Sequence, residues 1–544
     1  MKKIFLNKYF SGAFGLILFS YTVLHLLSLT SLPIFADEAI YIRWTQLIID
    51  DWQQYLFFPL NDGKTPLQFW LMIPWQFLPI DQLASARLFS VFVGFLQIIS
   101  MVWVVSLFGG KFKSKLLAAA FTAFLPFWYF HHGTVLLDNL LTLWLTLFLG
   151  FSWLLMQQVD SSGMSKKTVY LTAATGVCFG LALLTKIPAV LAIPALSCIL
   201  IYKQTKNGKE MKVSLPTFQE FLQRDFFFGA SLSVGVGMFL LLKIHPAFGQ
   251  LFARSGDFLF PISQILFEGA WQETTPSIPN YLYSFFIYLT PAITFINVSS
   301  LFVRKNKSRS HLFFWMGIIF LLPMMIMGRV VYPRYLFPAA IFFTLNAALS
   351  IETIFEVIRT NTLQVKQVLV TIAVSLLLAN TAAASASFMY FSIFDTNQLP
   401  LVSADKKQYL YEWSAGYGIT ETTDLIREIA KTQKIAVATE GSFGTLPDGI
   451  MVYLHKTDVQ NIFVDGIGYP LETIPLSFIE NARARSFERF ILVANSDRLE
   501  ASKIPLESFT LLKEYCRPEN SPCLQVWDFT EYQKSIDIPD LEQS

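Results

Sequence analysis

Two adjacent carboxylates, Asp37 and Glu38, follow a long apolar stretch of this 544-residue chain. Charge beside hydrocarbon is costly unless water, a partner or chemistry accounts for it. An aspartate so placed could serve as a general base. The structural alternative is that the pair forms the cap and first turn of a helix, where the helix dipole favours negative charge. Local sequence leaves the two readings equal, and one residue can do both.

Other ionisable residues stand beside apolar segments. Lys64 lies in Asp62-Gly63-Lys64-Thr65-Pro66, Lys186 in Leu184-Thr185-Lys186-Ile187-Pro188, and Arg334 in Tyr332-Pro333-Arg334-Tyr335. Each could bind an anion, and each could equally snorkel or anchor a helix end, as could Lys243. Asp138 is harder to dismiss, because it interrupts the apolar run Val135 to Leu143 and needs a partner; a lysine or arginine across a cavity would serve. His131 and His132, at a tight turn, are expected to be surface histidines rather than ligands. Arg43, Arg87 and Arg329 complete the set. No His/Cys/Asp group has clear metal-ligand spacing, so a divalent metal is neither indicated nor excluded.

The elements that must position these residues are membrane elements. The chain is 53% hydrophobic and 15% charged, with mean hydropathy +0.48, against roughly 25% charged residues in soluble domains. This is the composition of an integral membrane protein. Net charge +2 says nothing about partners, because the charges are segregated by loop. Apolar segments near 10–31, 86–108, 116–131, 135–157, 169–185, 187–202, 226–243, 281–303, 311–328, 334–356 and 367–391 predict about eleven spans. The first, after Lys2, Lys3 and Lys8, is too long for a signal peptide and lacks a cleavage site, so it reads as an uncleaved helix.

Loop charge predicts orientation. Lys111, Lys113, Lys115, Lys166, Lys167, Lys203, Lys206, Lys209, Lys212, Arg304, Lys305, Lys307, Arg309, Arg359 and Lys366 fall on one side, as the positive-inside pattern requires for a cytoplasmic N-terminus. Eleven spans then put the C-terminus outside. Asp37, Glu38, Arg43, Asp62, Lys64, Arg87, His131, His132, Asp138, Lys186, Lys243, Arg329 and Arg334 all gather on the outer side, as residues lining one cavity there would.

Three outer stretches exceed the needs of a connector. In 32–85, Ile40, Trp44, Leu47 and Ile48 form the stripe of an interfacial helix, and Pro66 to Phe77 predicts a second. The stretch 244–280 mixes His245, Arg254, Asp257, Glu268 and Glu273 with aromatics. From about 400 to 544 charges become frequent, and β-like runs at Lys434–Thr439, Gln460–Val464, Arg489–Ala494, Thr510–Tyr515 and Leu524–Asp528 alternate with helical patterns at Glu421–Lys431 and Ile474–Arg485. This predicts a small α/β domain. Its Glu440-Gly441-Ser442-Phe443-Gly444 turn lacks the phosphate-loop ending and reads as a tight strand-to-helix turn. Cys178 and Cys198 read as core residues. Cys516 and Cys523 could pair if this region is outside the cytoplasm, with free thiols equally open.

Together these residues resemble the membrane glycosyltransferases of the GT-C class. The branch is that of protein O-mannosyltransferases (glycosyltransferase family 39-like), aminoarabinose transferases and bacterial glycosyltransferases with an RgtA/B/C/D-like domain. The resemblance covers about residues 10–350. It rests on Asp37-Glu38, Asp62-Gly63-Lys64-Thr65-Pro66-Leu67, Leu136-Leu137-Asp138-Asn139, Leu184-Thr185-Lys186 and Arg334-Tyr335-Leu336, in that order. The family motif usually reads Lys-Pro-Pro where this chain has Lys64-Thr65-Pro66.

The resemblance implies a GT-C transmembrane domain (1–399) in a plasma membrane; the extracytoplasmic α/β domain (400–544) rests on composition and loop charge, and its role does not carry over from the class. The resemblance also implies a polyprenyl-phosphate-linked sugar as donor, attacked with inversion by an acceptor in a protein, lipid or glycan. Asp37 would be the general base, Glu38 would orient the site, and Lys64, Lys186 and Arg334 would hold the lipid phosphate, with Arg43, His132 and Asp138 supporting the cavity. A membrane-delivered donor agrees with the lack of a nucleotide fingerprint, and no nucleic-acid partner is expected. A flippase of lipid-linked sugars is the competing class; it would place charges near the bilayer midplane and show corresponding halves, and neither is seen. A polymerase or ligase of the same class stays open.

Overall fold

The computed structural model describes residues 8–207, 210–253, 255–302, 307–360, 364–455, 459–500 and 502–536; Lys2, Lys3, Lys209, Arg254, Arg304 and Lys305 lie outside these. The chain divides into two compact units. The first comprises Met1–Leu29, Leu56–Leu71 and Arg87–Asp395, and the second Thr30–Tyr55, Met72–Ala86 and Thr396–Ser544.

The first unit is helical. Among the described residues, eight helices are long and apolar enough to cross a membrane: Tyr9–Leu27, Gln82–Leu107, Leu137–Ser162, Lys166–Thr185, Phe218–Ile244, Arg309–Met327, Pro333–Val357 and Gln367–Phe394. The three remaining apolar segments are also helical but interrupted, and proline accounts for each interruption, since it lacks an N–H and pushes the preceding residue out of the helical region. Segment 116–131 breaks into Phe112–Phe124 and Pro126–His132, with Leu125 extended between them (ψ 140). Pro188 and Pro194 reduce 187–202 to short turns over Ile187–Ile201. At Thr290-Pro291 the pair Trp271–Tyr288 and Pro291–Ser300 bends by 101°; counting it as one span gives nine.

Close packing between helices depends on small residues where lipid supplies no hydrophobic drive between them. Gly176 and Gly180 stand four apart on Lys166–Thr185 and face Phe218–Leu240. A Cβ on Gly176 would come within 2.5 Å of the Ser231 carbonyl oxygen. Helix ends are tied by buried polar groups: Arg224 donates to the Leu200 carbonyl at 2.7 Å and pairs with Asp160 at 3.3 Å. Between spans, β1 (Lys203–Asn207) and β2 (Glu210–Ser214) form an antiparallel hairpin.

The second unit is built on a five-stranded sheet of β3 (Ile435–Thr439), β4 (Ile462–Gly466), β5 (Arg489–Asn495), β6 (Thr510–Arg517) and β7 (Ser521–Asp528). Their order is β4-β3-β5-β7-β6. β3 runs parallel to β4 and β5, while β7 pairs antiparallel with both β5 and β6. Helices Ile419–Ala430 and Leu476–Ala484 fall where helical patterns were expected. Phe478, Ile479, Phe490, Leu492 and Phe529 are among the buried residues of the core. Cys516 and Cys523 form a disulfide across the β6–β7 pair.

The helix Ala36–Asp50 belongs to this unit, although some 385 residues of chain separate it from the first strand of the sheet, which begins at Ile435. Ala36 N–H donates to Ser414 O and Gly416 N–H to Ile34 O, both at 2.9 Å. Gln46 donates to the Val452 carbonyl at 3.1 Å. Ile40, Trp44 and Ile48 of the expected stripe are buried.

Candidate active site

In the first unit the geometry centres on two helix ends. Leu136 is extended, so the helix Leu137–Ser162 starts with Asp138 in its first turn. The neighbouring helix stops at Lys186, whose backbone is extended (φ −162, ψ 128) though its N–H still reaches the Ala182 carbonyl. Ile187-Pro188 follows and prevents continuation. These two ends bring Lys186 Nζ to 2.7 Å from Asp138 Oδ1, the side chains being 19% and 5% exposed. Of the lysines that could have met the demand of Asp138 for a partner, Lys186 does.

A third segment joins them. Pro333–Leu336 forms a single turn carrying Arg334 and Tyr335. Lys186 Nζ lies 4.6 Å from the centroid of the Tyr335 ring. The buried Arg334 guanidinium lies 5.3 Å from the same ring and 5.4 Å from that of Tyr332. Two cations thus share one aromatic ring, with Asp138 as the carboxylate paired to one of them. Arg beside Lys on a pre-set aromatic surface suits an anion, with the guanidinium fork matched to phosphate oxygens. In the sequence Tyr335 stands only as part of Arg334-Tyr335-Leu336; the signal for its role is its position next to Arg334.

His131 and His132 are not surface residues. All seven residues of Pro126–His132 are buried, because the proline break turns this segment back into protein instead of exposing a turn. His131 packs on Phe337 with centroids 4.6 Å apart, and lies within electrostatic reach of Arg334 and Lys186. His132 packs against Tyr21 and Trp128 at 5.6 Å each. Neither ring nitrogen of either histidine has a hydrogen-bond partner among the described residues.

Lys64 follows Gly63, whose φ of 71° closes the turn Phe58–Asp62 in a left-handed conformation that glycine adopts without cost. Lys64 Nζ sits 3.5 Å from Asp62 and is partly exposed; it also stands 5.8 Å from the Phe258 ring. Arg87 is buried and donates to the Leu29 carbonyl at 2.9 Å. Asn139, beside Asp138, donates to Ser90 Oγ at 2.8 Å and anchors that helix start.

In the second unit the Asp-Glu pair separates into two roles. Glu38 is fully buried, and its Oε2 accepts the Phe35 N–H at 3.1 Å, which is the work of a helix cap. Asp37 is only half-buried and occupies the first helical turn. One turn and more along, Arg43 is held below its usual value by burial, against the opposing pull of Asp50 and Asp448. Asp448 is pushed up to about 6 by burial, although the Gly444 N–H and Arg43 favour its ionised form; the Gly444 bond is 2.7 Å. His455 Nε2 meets Asp50 at 3.0 Å. Sequence reasoning missed Asp448, His455 and Asp50, since nothing in linear order ties residues 448 and 455 to the stretch 32–85.

Among the described residues, one group has metal-type ligands close together, Glu514 with Cys516 and Cys523. Its two sulfurs are already joined in the disulfide.

Residues 63–245 match the family described as dolichyl-phosphate-mannose-protein mannosyltransferase. That segment holds Lys64, Asp138 and Lys186. The fold is similar to that of ArnT from Cupriavidus metallidurans in the apo state, at 14% identity and TM-score 0.57, covering 96% of this chain and 99% of that one. ArnT bound to undecaprenyl phosphate gives 16% identity, TM-score 0.54, and coverage of 95% and 98%. The archaeal oligosaccharyltransferase AglB from Archaeoglobus fulgidus, in complex with an inhibitory peptide and a dolichol-phosphate, gives 11% identity and TM-score 0.50, covering 90% of this chain and 70% of that one. No curated protein sequence matches the chain.

Proposed function

We propose that this chain, a multi-pass membrane glycosyltransferase of the GT-C class, transfers a sugar from a polyprenyl-phosphate-linked donor to an acceptor on the extracytoplasmic side, with inversion. The observation that carries the donor assignment is the pair of cations, Lys186 and Arg334, at 4.6 and 5.3 Å from the centroid of one ring, Tyr335, with Asp138 paired to Lys186. The undecaprenyl phosphate bound by ArnT and the dolichol-phosphate bound by AglB support the same donor class.

In this reading an acceptor oxygen or nitrogen attacks the anomeric carbon while the bond from that carbon to the phosphate oxygen breaks. Negative charge grows on the departing lipid phosphate. Lys64, Lys186 and Arg334 stabilise it more in the transition state than in the ground state. Asp37 takes the acceptor proton; an ordinary carboxylate is a weak base for a hydroxyl but accepts late, once the leaving bond is largely broken, and such help contributes roughly 10²–10⁴ in rate. Glu38 serves by holding the helix start that carries Asp37, and Arg43, Asp138 and His132 are supporting residues of the cavity in this reading. The N-terminus is cytoplasmic and the domain from about 400 to 544 extracytoplasmic; the basic loops favour this orientation, and the Cys516–Cys523 disulfide fits an oxidising compartment.

The test is lipid affinity in nanodiscs. Arg334→Ala and Lys64→Ala are expected to weaken undecaprenyl-phosphate binding by roughly tenfold or more each, the scale of a lost charge-assisted hydrogen bond. Unchanged affinity in both would remove the phosphate assignment.

A further inference from the structure

The second outer stretch, 244–280, contains polar groups that the reading above leaves without work. Phe260 N–H donates to Met327 O at 2.7 Å and Arg329 N–H to Phe258 O at 2.9 Å, with Leu259 bridged to Gly328. This short pairing forms the wall of a cavity of 310 Å³ whose lining includes Phe260, Glu273, Ser277, Tyr281 and Arg329, together with Thr274, whose hydroxyl donates to the Trp271 carbonyl at 3.3 Å. The volume lies at the small end of the range of about 300–1,000 Å³ typical of ligand sites.

Glu273 and Arg329 are exposed, and Ser277 and Tyr281 half-buried, so the polar lining is open to an incoming ligand. Among the described residues, the side chains of Glu273, Ser277 and Tyr281 make no hydrogen bond or ion pair with protein, and Glu273 does not pair with Arg329 across the cavity. The Arg329 guanidinium is instead laid over the Phe260 ring, 4.3 Å from its centroid. A carboxylate acceptor, two hydroxyls that both donate and accept, a guanidinium donor and an aromatic face therefore line one hollow with hydrogen-bonding capacity that a ligand can take over from water. A ring bearing several hydroxyls and an apolar C–H face satisfies such a set. A phosphate does not, because Glu273 would repel it; a hydrocarbon chain would leave every polar group unpaired. Glu273 and Arg329 cancel in charge, which favours an uncharged ring.

Position supplies the second argument. Phe258, against which Lys64 stands, is two residues before Phe260, a step of about 7 Å along extended chain. Arg329 is five residues before Arg334. The cavity is thus reached from both proposed phosphate-holding segments within a few residues.

We propose that this cavity binds an uncharged sugar ring of the substrate, with Glu273, Tyr281, Ser277 and Arg329 selecting its hydroxyls, and that the ring is the donor's. This rests on the lipid-linked donor reading, and the test separates the two. Purified protein in nanodiscs is titrated with undecaprenyl phosphate and with undecaprenyl-phosphoglucose, for wild type, Glu273→Gln, Tyr281→Phe and Lys64→Ala. Saturation-transfer NMR with free glucose, mannose and galactose runs alongside. The expected result is that wild type binds the glucosylated lipid or gives a sugar signal, that Glu273→Gln and Tyr281→Phe lower the ratio of sugar-bearing to bare-lipid affinity by roughly five- to tenfold, and that they leave bare-lipid affinity within twofold. Lys64→Ala should weaken both lipids equally. An unchanged ratio and an unchanged NMR signal in both cavity variants would overturn the proposal. Loss of the NMR signal with an unchanged lipid ratio would overturn the donor assignment and give the cavity to an acceptor glycan. Failure of wild type to bind either lipid, with the sugar signal present and lost in Glu273→Gln, would sink the lipid-donor reading while retaining the cavity as a sugar site.

Discussion

Asp37 and Glu38 are neighbours in sequence with separate surroundings. Glu38 spends its carboxylate on the Phe35 N–H, whereas Asp37 keeps a half-exposed side chain in the first turn. The sequence showed that the pair was costly beside an apolar stretch, but it could not divide cap from catalyst, because the division depends on which side of the helix start faces protein. The case of Asp138 was more legible: a carboxylate in an apolar run demands a cation. Which cation was hidden, since Lys64, Lys186 and Lys243 all stood near apolar segment ends. Lys186 is fixed by the proline that follows its helix. Asp138→Asn leaves Lys186 largely buried without its counter-charge, and should cost roughly 3 kcal/mol of stability, read as a lowered midpoint in thermal unfolding in detergent. Adding Lys186→Met should recover part of that loss; no recovery would mean that the pair acts through something other than mutual charge.

At the scale of elements, apolar length located the helices and missed their interruptions. Hydropathy averages over a window and cannot register that Pro126 removes one N–H and holds Leu125 extended. The cost of that blindness fell on His131 and His132, which looked like turn residues and are buried in the short helix the proline starts. The Gly176 and Gly180 spacing was present in the sequence, but its partner helix was not identifiable without coordinates. There the chain allows a direct check. Gly176→Val would drive a side chain into the Ser231 backbone carbonyl, where no rotamer gives relief. A loss of 1–3 kcal/mol or more is the expected scale of such overpacking (about 2 as a central value). Gly12→Val, at a position with nothing near its Cβ direction, is the matched control, and equal behaviour of the two in thermal unfolding would rule out close helix packing at Gly176.

The whole molecule carries its functional residues in two compact units, and linear order conceals which residue belongs where. Residues 30–55 and 72–86 are part of the same unit as the C-terminal sheet, a grouping made by backbone hydrogen bonds such as Ala36 to Ser414 that no periodicity predicts. The tail's strands and helices, by contrast, were legible from alternation and composition, because an exposed α/β domain must switch between the two periods. The loop charges favour an extracytoplasmic C-terminus, and on that proposal a C-terminal alkaline-phosphatase fusion is expected to be active; an inactive fusion would reverse the side on which the chemistry is proposed. The central claim is that Asp37 is the base for sugar transfer. The direct measurement is transfer from polyprenyl-phosphate sugar by Asp37→Asn in membranes, with product glycans and lipids followed by mass spectrometry. The account predicts a loss of roughly 10²-fold or more with expression, thermal unfolding and donor affinity unchanged, and turnover equal to wild type would contradict it.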